Sequence, residues 1–144
     1  LYSSAASDVY KRQNYKIVKR NDFAFNPARI NVGSIARLTT FERGIVSPMY
    51  ICFRTKDILL PEYLDYYFKS KQFSTEIQKR LEGSVRQCLS FDGLCNIPLS
   101  VPAIEIQQQI GKRLSALVQE INLEIDFLEL LQKQKKFLLY QMFI

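Results

Sequence analysis

The sequence lacks histidine entirely, and its five glycines are scattered singly. Without histidine, zinc catalysis, Ser-His-Asp triads and imidazole proton shuttles are all disfavoured. The scattered glycines leave no glycine-rich loop of the kind that holds nucleotide phosphates. These absences predict that the chain acts by binding and is not itself an enzyme.

Long apolar runs and metal-binding cysteine patterns are also missing. No stretch of about twenty apolar residues occurs, so the sequence predicts no membrane-spanning helix. Cys52, Cys88 and Cys95 are an odd set without metal-ligand spacing, and we interpret them as free, largely buried thiols in a reducing compartment. With 47% apolar residues the chain can still bury a core. We therefore expect a cytoplasmic protein with no bound metal and no membrane contact.

Positive charge is concentrated in the N-terminal part of the chain. The net charge is +6, and residues 1–50 hold eight Lys or Arg and three acids. Residues 51–100 hold seven and six, and residues 101–144 hold five and five. The N-terminal surplus can attract a polyanion such as nucleic acid, and a solvated basic face is the alternative.

The first thirteen residues, "LYSSAASDVYKRQ", differ in character from the rest. They are small and polar, have no sustained period, and contain neither a signal-peptide core nor a basic amphipathic helix. They resemble translated linker sequence, so we interpret residues 1–13 as a non-native or disordered leader. On this interpretation the native chain begins near Asn14 and its upstream sequence is missing.

The sequence after the leader predicts short strands. "YKIVKRNDFAFNP" alternates around an Asn21-Asp22 turn, and Phe23 and Phe25 resume the alternation after it. "GSIARLTT" predicts a further strand, and "GIVSPMYICF" predicts one stronger strand. Because Pro48 cannot donate to a ladder, the start of that strand is expected at a sheet edge or bulge.

The pattern then changes to a helical period. In "LPEYLDYYFKSKQFSTEIQKRLEG", Pro61 suits the first position of a helix, and its aromatic residues are expected in the core. Ser74, Ile77 and Leu81 indicate a second short helix that ends at Gly83. A final strand is predicted in "LCNIPLSVP", with three apolar residues on one face: Ile97, Leu99 and Val101.

After Pro102 the sequence predicts one long helix, from Ile104 to Phe143. Glu105 lies in its first turn, where a negative charge complements the helix dipole. Such a helix would extend about 60 Å, so its apolar stripe needs another helix to cover it. A helix folded back in two pieces on its own domain is the alternative. The expected pairing residues follow three- and four-residue steps: Ile110, Leu114, Leu117, Ile121, Leu128, Leu131 and Leu138.

These segments together resemble the specificity subunits of type I restriction-modification systems. The recognition-domain pattern of that family is similar to "YKIVKRNDFAFNPARINVGSIA", "GIVSPMYICFR", "EYLDYYFKS" and "LEGSVRQCLSFDGLCNIPLSVP". Its helical signature of Pro, Glu-Gln and an aliphatic helix resembles the text after Pro102, which closes with "LLQKQKKFLLYQMF". One departure is that Ile106-Gln107 stands where the family has Glu-Gln, with Glu105 one position early.

The resemblance implies an α+β fold in two parts. Residues 14–102 would form a small, mixed, strand-rich target-recognition domain with short helices, and residues 103–144 one long coiled-coil-forming helix. The domain would read one half of a bipartite target in double-stranded DNA, while the helix sets the spacing. The second half would lie in the same chain, of which this is the C-terminal part, or in a homodimer of a half-length subunit.

The resemblance also implies partners and a division of chemistry. The helix would dock DNA adenine methyltransferase (modification) subunits, and the restriction subunit would join through the complex. S-adenosylmethionine, ATP and Mg would be used by those subunits, and this chain would bind no cofactor. The residues expected to contact DNA are basic or polar and lie mainly in two stretches: Lys16, Lys19, Arg20, Asn26, Arg29, Asn31, Ser34, Arg37, Arg43, Ser84, Arg86 and Gln87.

Two other function classes remain as alternatives. One is a protein-interaction adaptor in which the coiled coil carries the function and the basic domain is incidental. The other is a small metal-dependent nuclease using Asp22, Glu42 or Asp57, although each of these acids lacks a second carboxylate at useful spacing. Salt-dependent binding to duplex DNA separates the recognition subunit from the adaptor.

Overall fold

A computed structural model describes residues 14–83 and 87–143. Within them it has an α+β architecture, as the sequence predicts. The strands are β1 (Lys16–Lys19), β2 (Phe23–Phe25), β3 (Ile35–Arg37), β4 (Arg43–Val46) and β5 (Ile51–Phe53). The helices are a short 3-10 helix (Ile30–Val32), α1 (Pro61–Phe68), α2 (Lys71–Arg80), α3 (Phe91–Cys95) and α4 (Ile104–Met142).

The strands form two small antiparallel units. In the first, β3, β2 and β5 make a three-stranded sheet with β2 in the middle. In the second, β1 and β4 make a two-stranded unit that we call the ribbon. The Asn21-Asp22 turn joins the two, with Asn21 in the left-handed region at φ 70. Asn21 N donates to Leu38 O at 2.8 Å, which holds the ribbon to the sheet.

The prediction of a single strand in "GIVSPMYICF" is wrong, because the structure divides this segment between two sheets. β4 ends at Val46, and β5 begins at Ile51 in the other sheet. Between them the chain turns, with Tyr50 N donating to Ser47 O at 3.0 Å. Pro48 lies in this turn and has no N–H to donate, so a continuous ladder cannot pass through it.

Aromatic side chains fill the core between the three-stranded sheet and the short helices. Phe23 and Phe25, which point inward from β2, are fully buried. The rings of Phe23 and Phe53 stack with centroids 5.2 Å apart, and Phe68 meets Phe23 edge-on at 5.5 Å. This confirms the alternation read from the sequence around β2 and the core placement of the helical aromatics.

The first two helices lie close to their predicted positions. Pro61 occupies the first turn of α1, as expected. The predicted limits of the second helix are wrong, however, because α2 begins one turn earlier. The hydroxyl of Ser70 caps it by accepting from Phe73 N. The helix ends at Arg80, and Gly83 takes φ 101 outside it.

The prediction of a strand at Ile97–Val101 is also wrong. In the structure these residues form an irregular segment that pairs with no strand in the described part of the chain. Pro98 lies within the segment and Pro102 follows it, and neither can donate to a ladder. Its carbonyls are instead bound by tyrosines of α1: Tyr67 Oη donates to Pro98 O at 3.1 Å and Tyr63 Oη to Ser100 O at 3.0 Å.

The cysteines are free, but the prediction that they are largely buried is wrong. Cys52 and Cys88 are half-buried and Cys95 is exposed. Partial burial raises the pKa of the Cys52 thiol. Of the helices in residues 14–83 and 87–143, none combines the length and apolar character that crossing a membrane needs. In these same ranges no three acidic or cysteine side chains lie close enough to hold a metal ion.

The long helix is present and continuous. α4 runs for 39 residues, which corresponds to about 58 Å at 1.5 Å per residue, with Glu105 in its first turn. Within the part of the chain that the structure describes, only its beginning packs on the domain, mainly on α1, and its apolar side chains from Leu117 onward are exposed. The alternative of a helix folded back in two pieces is therefore wrong.

Candidate nucleic-acid interface

Eight of the residues predicted to contact DNA are separated by the strand register into two regions. Because Phe25 pairs with Ile35, the loop of residues 26–34 closes one end of β2 and β3, and we call it the hairpin loop. The ribbon extends from the other end of the same strands. The hairpin loop carries Asn26, Arg29, Asn31 and Ser34, whereas the ribbon and its turn carry Lys16, Lys19, Arg20 and Arg43.

Backbone hydrogen bonds give the hairpin loop a defined shape. Asn26 N donates to Ser34 O at 3.0 Å, and Ser34 N donates to Arg29 O at 3.1 Å. Gly33 takes φ 85, which favours glycine, and Ile30 anchors the 3-10 helix in the core. The loop therefore presents Arg29 and Asn31 to solvent from a fixed backbone.

Asn26 is placed differently from the rest of that loop. It is buried, and its Oδ1 accepts a hydrogen bond from Ala28 N at 3.1 Å. Its Nδ2 lies 3.7 Å from the sulfur of Met49. This is a local turn in which the side chain stabilises the loop backbone. The geometry favours a supporting role for Asn26 over a direct contact.

The ribbon and the turn that follows β1 gather four of the predicted basic residues at the surface. Lys19 and Arg43 are paired across β1 and β4, and both are exposed. Lys16 Nζ donates to Tyr50 O at 2.8 Å and keeps its charge at the surface. Arg20 forms an ion pair with Glu42 at 2.6 Å, which offsets part of its field.

Arg37 faces inward, toward α1. Its Nη2 lies 4.0 Å from Asp65 Oδ2, its Nη1 donates to Asn21 Oδ1 at 3.4 Å, and its side chain is mostly enclosed. Its Nε is buried without a hydrogen-bond partner in the described residues. The guanidinium therefore connects β3 to α1, and its geometry favours packing over contact with a ligand.

The second stretch of candidates lies between α2 and α3. Ser84 and Arg86 lie outside the described residues. Gln87 is exposed beside an isolated bridge between Glu82 and Cys88, whose two backbone hydrogen bonds are both 2.9 Å.

The acids considered for a nuclease are engaged in other contacts or stand apart. Asp22 accepts from Arg54 Nε at 2.6 Å and Nη2 at 3.1 Å, and also from Lys19 N at 2.8 Å. Glu42 is bound to Arg20, and Asp57 is exposed. The Arg54 hydrogen bonds hold the pKa of Asp22 below its ordinary value despite burial.

This pair gives a pH-dependent stability prediction. Because folding lowers the pKa of Asp22, its contribution is present above about pH 4, the unfolded value, and is lost as pH falls through the folded pKa. Asp22→Asn should lower the free energy of unfolding by about 1 kcal/mol at pH 7, a modest value because Arg54 is largely exposed. Urea unfolding should show the difference shrinking at pH 3.

The control for this comparison is Asp57→Asn, which alters an exposed acid with no ion pair in the described residues. It should leave the unfolding midpoint unchanged at both pH values. An Asp22→Asn protein as stable as wild type at pH 7 would contradict the assignment.

The start of α4 is joined to the domain by a polar contact that the periodicity did not predict. Gln107 is 1% exposed; its Oε1 accepts from Leu60 N at 2.8 Å, and its Nε2 donates to Ile58 O at 2.9 Å and Pro102 O at 2.8 Å. The only sequence signal was its match to the helical signature. We call these contacts, together with those one and two turns later, the junction.

The rest of the junction continues along the same face of α4. Gly111 is buried against Glu62, and an added Cβ would lie 3.3 Å from the Glu62 carboxylate. One turn on, Ser115 Oγ donates to Glu62 Oε1 at 2.7 Å and lies 2.8 Å from Tyr66 Oη. The spacing of four residues places all three positions on one face of α4, against α1 and the loop before it.

The amino-acid sequence matches the family model of the type I restriction modification DNA specificity domain over residues 3–136. The chain belongs to this family. The match confirms the resemblance read from the sequence segments. It begins within residues 1–13, whose assignment as a leader stays a prediction.

The fold of this specificity domain is similar to the crystal structure of an HsdS subunit from Thermoanaerobacter tengcongensis. The TM-score is 0.62 at 20% sequence identity, a level that shows likeness of fold. The similarity covers 74% of this chain and 28% of the HsdS chain, so the specificity domain spans well under half of that protein. No curated protein matches the chain.

The helix of the specificity domain presents two apolar stripes beyond the junction. Of the predicted pairing residues, Ile110 and Leu114 are half-buried near α1, and the other five are exposed. A second stripe lies beside the first, displaced around the helix by one residue position. Its members are all exposed: Leu123, Phe127, Leu130 and Phe137.

Proposed function

We propose that this chain is a non-catalytic recognition part of a type I restriction-modification specificity subunit and reads one half of a bipartite target in duplex DNA. The family match over residues 3–136 carries the proposal. The cationic surfaces of the ribbon and the hairpin loop support it, since phosphate neutralisation needs exposed Lys and Arg. In this proposal S-adenosylmethionine, ATP and Mg are bound and used by the partner subunits. The complex acts in the cytoplasm.

Within this proposal the hairpin loop reads bases and the ribbon contacts phosphates. Arg29 and Asn31 are exposed on a fixed backbone, and Arg and Asn forks match guanine and adenine edges in the major groove. Asn26 and Arg37 support this surface from within. The remaining proposed contacts come from the ribbon, its turn and the two loops: Lys16, Lys19, Arg20, Ser34, Arg43, Ser84, Arg86 and Gln87.

The proposal assigns α4 to spacing and assembly. The junction fixes where the helix leaves the domain, and its first stripe is exposed for another helix, in the same subunit or in a second copy. The second stripe offers a separate surface on which methyltransferase subunits dock, with the restriction subunit joining through the complex. Two apolar stripes fit two simultaneous partners better than one.

The experiment that tests recognition measures DNA affinity of the full chain by fluorescence anisotropy. Duplexes enriched from a random pool are compared with scrambled duplexes at several salt concentrations. Arg29→Ala should weaken binding to the enriched duplex by about 1–3 kcal/mol if it reads a base. An equal loss on both duplexes would place Arg29 on the phosphate backbone instead. Arg86→Ala is tested in the same way.

A matched control is Lys133→Ala, which removes the same charge from the far part of α4. It should leave both affinities unchanged. The exposed stripes of α4 also favour the adaptor alternative, in which the basic domain is incidental. Affinity for duplex DNA that does not fall as salt increases, with no enriched sequence, would favour that adaptor over the recognition subunit.

A further inference from the structure

The exposed face of the ribbon has a composition that the predicted contacts do not explain. Ile17 and Ile45 are paired across β1 and β4, and they are 69% and 53% exposed. The alternate residues, Val18 and Gly44, are paired on the opposite face, where Val18 is buried in the core. The ribbon therefore buries one face and leaves two adjacent aliphatic side chains in water on the other.

The same exposed face carries an unfavourable pair of charges. Residues two apart on a strand share a face, so Lys19 and Arg43 lie beside the aliphatic pair. Like charges directly opposite each other destabilise an antiparallel pair. Within the described residues neither cation has an ion-pair partner, and the nearby acid Glu42 is bound to Arg20. A bound polyanion would relieve this repulsion.

The dimensions and chemistry of this face fit a DNA groove. The major groove of B-DNA is about 12 Å wide and admits a two-stranded ribbon, whose strands lie about 4.8 Å apart. In that groove the thymine C5-methyl group is the apolar feature available to an aliphatic side chain. Phosphates line the groove edges, within reach of long basic side chains at the end of the ribbon.

We propose that the exposed face of the ribbon enters the major groove, with Ile17 and Ile45 against thymine methyl groups and Lys19 and Arg43 on flanking phosphates. This rests on the proposed function and deepens it. Ile17 and Ile45 then become specificity-determining residues that read sequence through apolar contacts. They add to the hairpin loop, which reads bases through hydrogen bonds.

The test uses the full chain and duplexes enriched from a random pool, made once with thymine and once with uracil, which lacks only the methyl group. Wild type should bind the uracil duplex about three- to tenfold more weakly. Ile17→Ala and Ile45→Ala should lose a similar factor on the thymine duplex and no longer distinguish the two. Because both side chains are exposed, the unfolding midpoints should stay near wild type.

Two further sets of variants keep the test independent of ribbon stability. Ile58→Ala removes an equally exposed isoleucine from the loop before α1, outside both the ribbon and the hairpin loop, and should retain the thymine preference. Lys19→Ala and Arg43→Ala leave the aliphatic pair in place. Each should lower the slope of log affinity against log salt by about one.

Several outcomes would overturn the inference while leaving the proposed function intact, since DNA would still be bound. These are no thymine preference in wild type, a preference that survives in both the Ile17 and the Ile45 variant, or its loss in Ile58→Ala alone. Unchanged DNA affinity with altered mass in solution for the isoleucine variants would assign the ribbon to a second copy of the chain. A wild-type chain that binds no duplex at any salt concentration would contradict the proposed function itself.

Discussion

Replacing Gln107 with alanine should lower the free energy of unfolding by about 2–4 kcal/mol. The side chain is buried and satisfies three backbone groups: Leu60 N, Ile58 O and Pro102 O. Removing it leaves these groups without their partner beside the space of a side chain that is only 1% exposed, and each unsatisfied buried group costs about 1–3 kcal/mol. The contacts of Gln107 span the loop before α1 and the entry to α4, so their loss should also loosen the helix from the domain.

The neighbouring glutamine provides the control. Gln108 is exposed on the same helical turn, so Gln108→Ala should change the unfolding free energy by less than about 0.5 kcal/mol. Gln107→Glu should not rescue stability, because a carboxylate oxygen would replace the donating Nε2 opposite two carbonyls. Urea unfolding followed by circular dichroism measures all three. Equal midpoints for the Gln107 and Gln108 variants would show that the hydrogen bonds of Gln107 contribute nothing to stability.

The junction matters for function because it sets the direction in which α4 leaves the domain. Gly111 allows α1 to approach closely, since a side chain at this position would press on the Glu62 carboxylate. Ser115 then binds the same carboxylate one turn later. A helix held at one point can pivot, whereas these contacts extend over two turns. In the proposed function, this fixed direction converts helix length into a defined distance between two recognition halves.

Features encoded by local sequence were predicted well. The alternation at Phe23 and Phe25 places both side chains in the core, and the Asn21-Asp22 turn forms because asparagine tolerates the left-handed conformation. The long helix follows from an apolar period sustained across 39 residues without proline. In each case the signal lies within one continuous stretch of the chain and needs no distant partner.

Features that depend on distant partners were not predicted. The segment Ile97–Val101 alternates like a strand, yet tyrosines more than thirty residues earlier bind its carbonyls. Gln107 is indistinguishable by type from the two glutamines after it, and its partners in the loop before α1 lie 47 and 49 residues away. Similarly, Lys19 and Arg43 form a candidate site only because β1 pairs with β4. The amino-acid composition located the basic region of the chain. The pairing of the strands determined which basic side chains lie next to each other.

Replacing Leu117 and Leu128 together with lysine should abolish helix pairing and leave the domain folded. Both side chains are exposed on the first stripe of α4, so their substitution removes no contact with the core. Two charges on this stripe would have to be desolvated in any helix–helix interface, at a cost of several kcal/mol per ion. Sedimentation or light scattering of the full chain should show a dimer for wild type and a monomer for the variant.

The second stripe supplies a matched control. Leu123→Lys with Leu130→Lys adds the same charge to equally exposed leucines of α4, outside the first stripe. If the first stripe is the pairing seam, this variant should remain a dimer and should instead lose binding to an added methyltransferase subunit. A dimer that persists after Leu117→Lys and Leu128→Lys but dissociates in the control would exchange the two roles. Wild-type mass in both variants would leave α4 without a pairing function and remove the physical basis for spacing two half-targets.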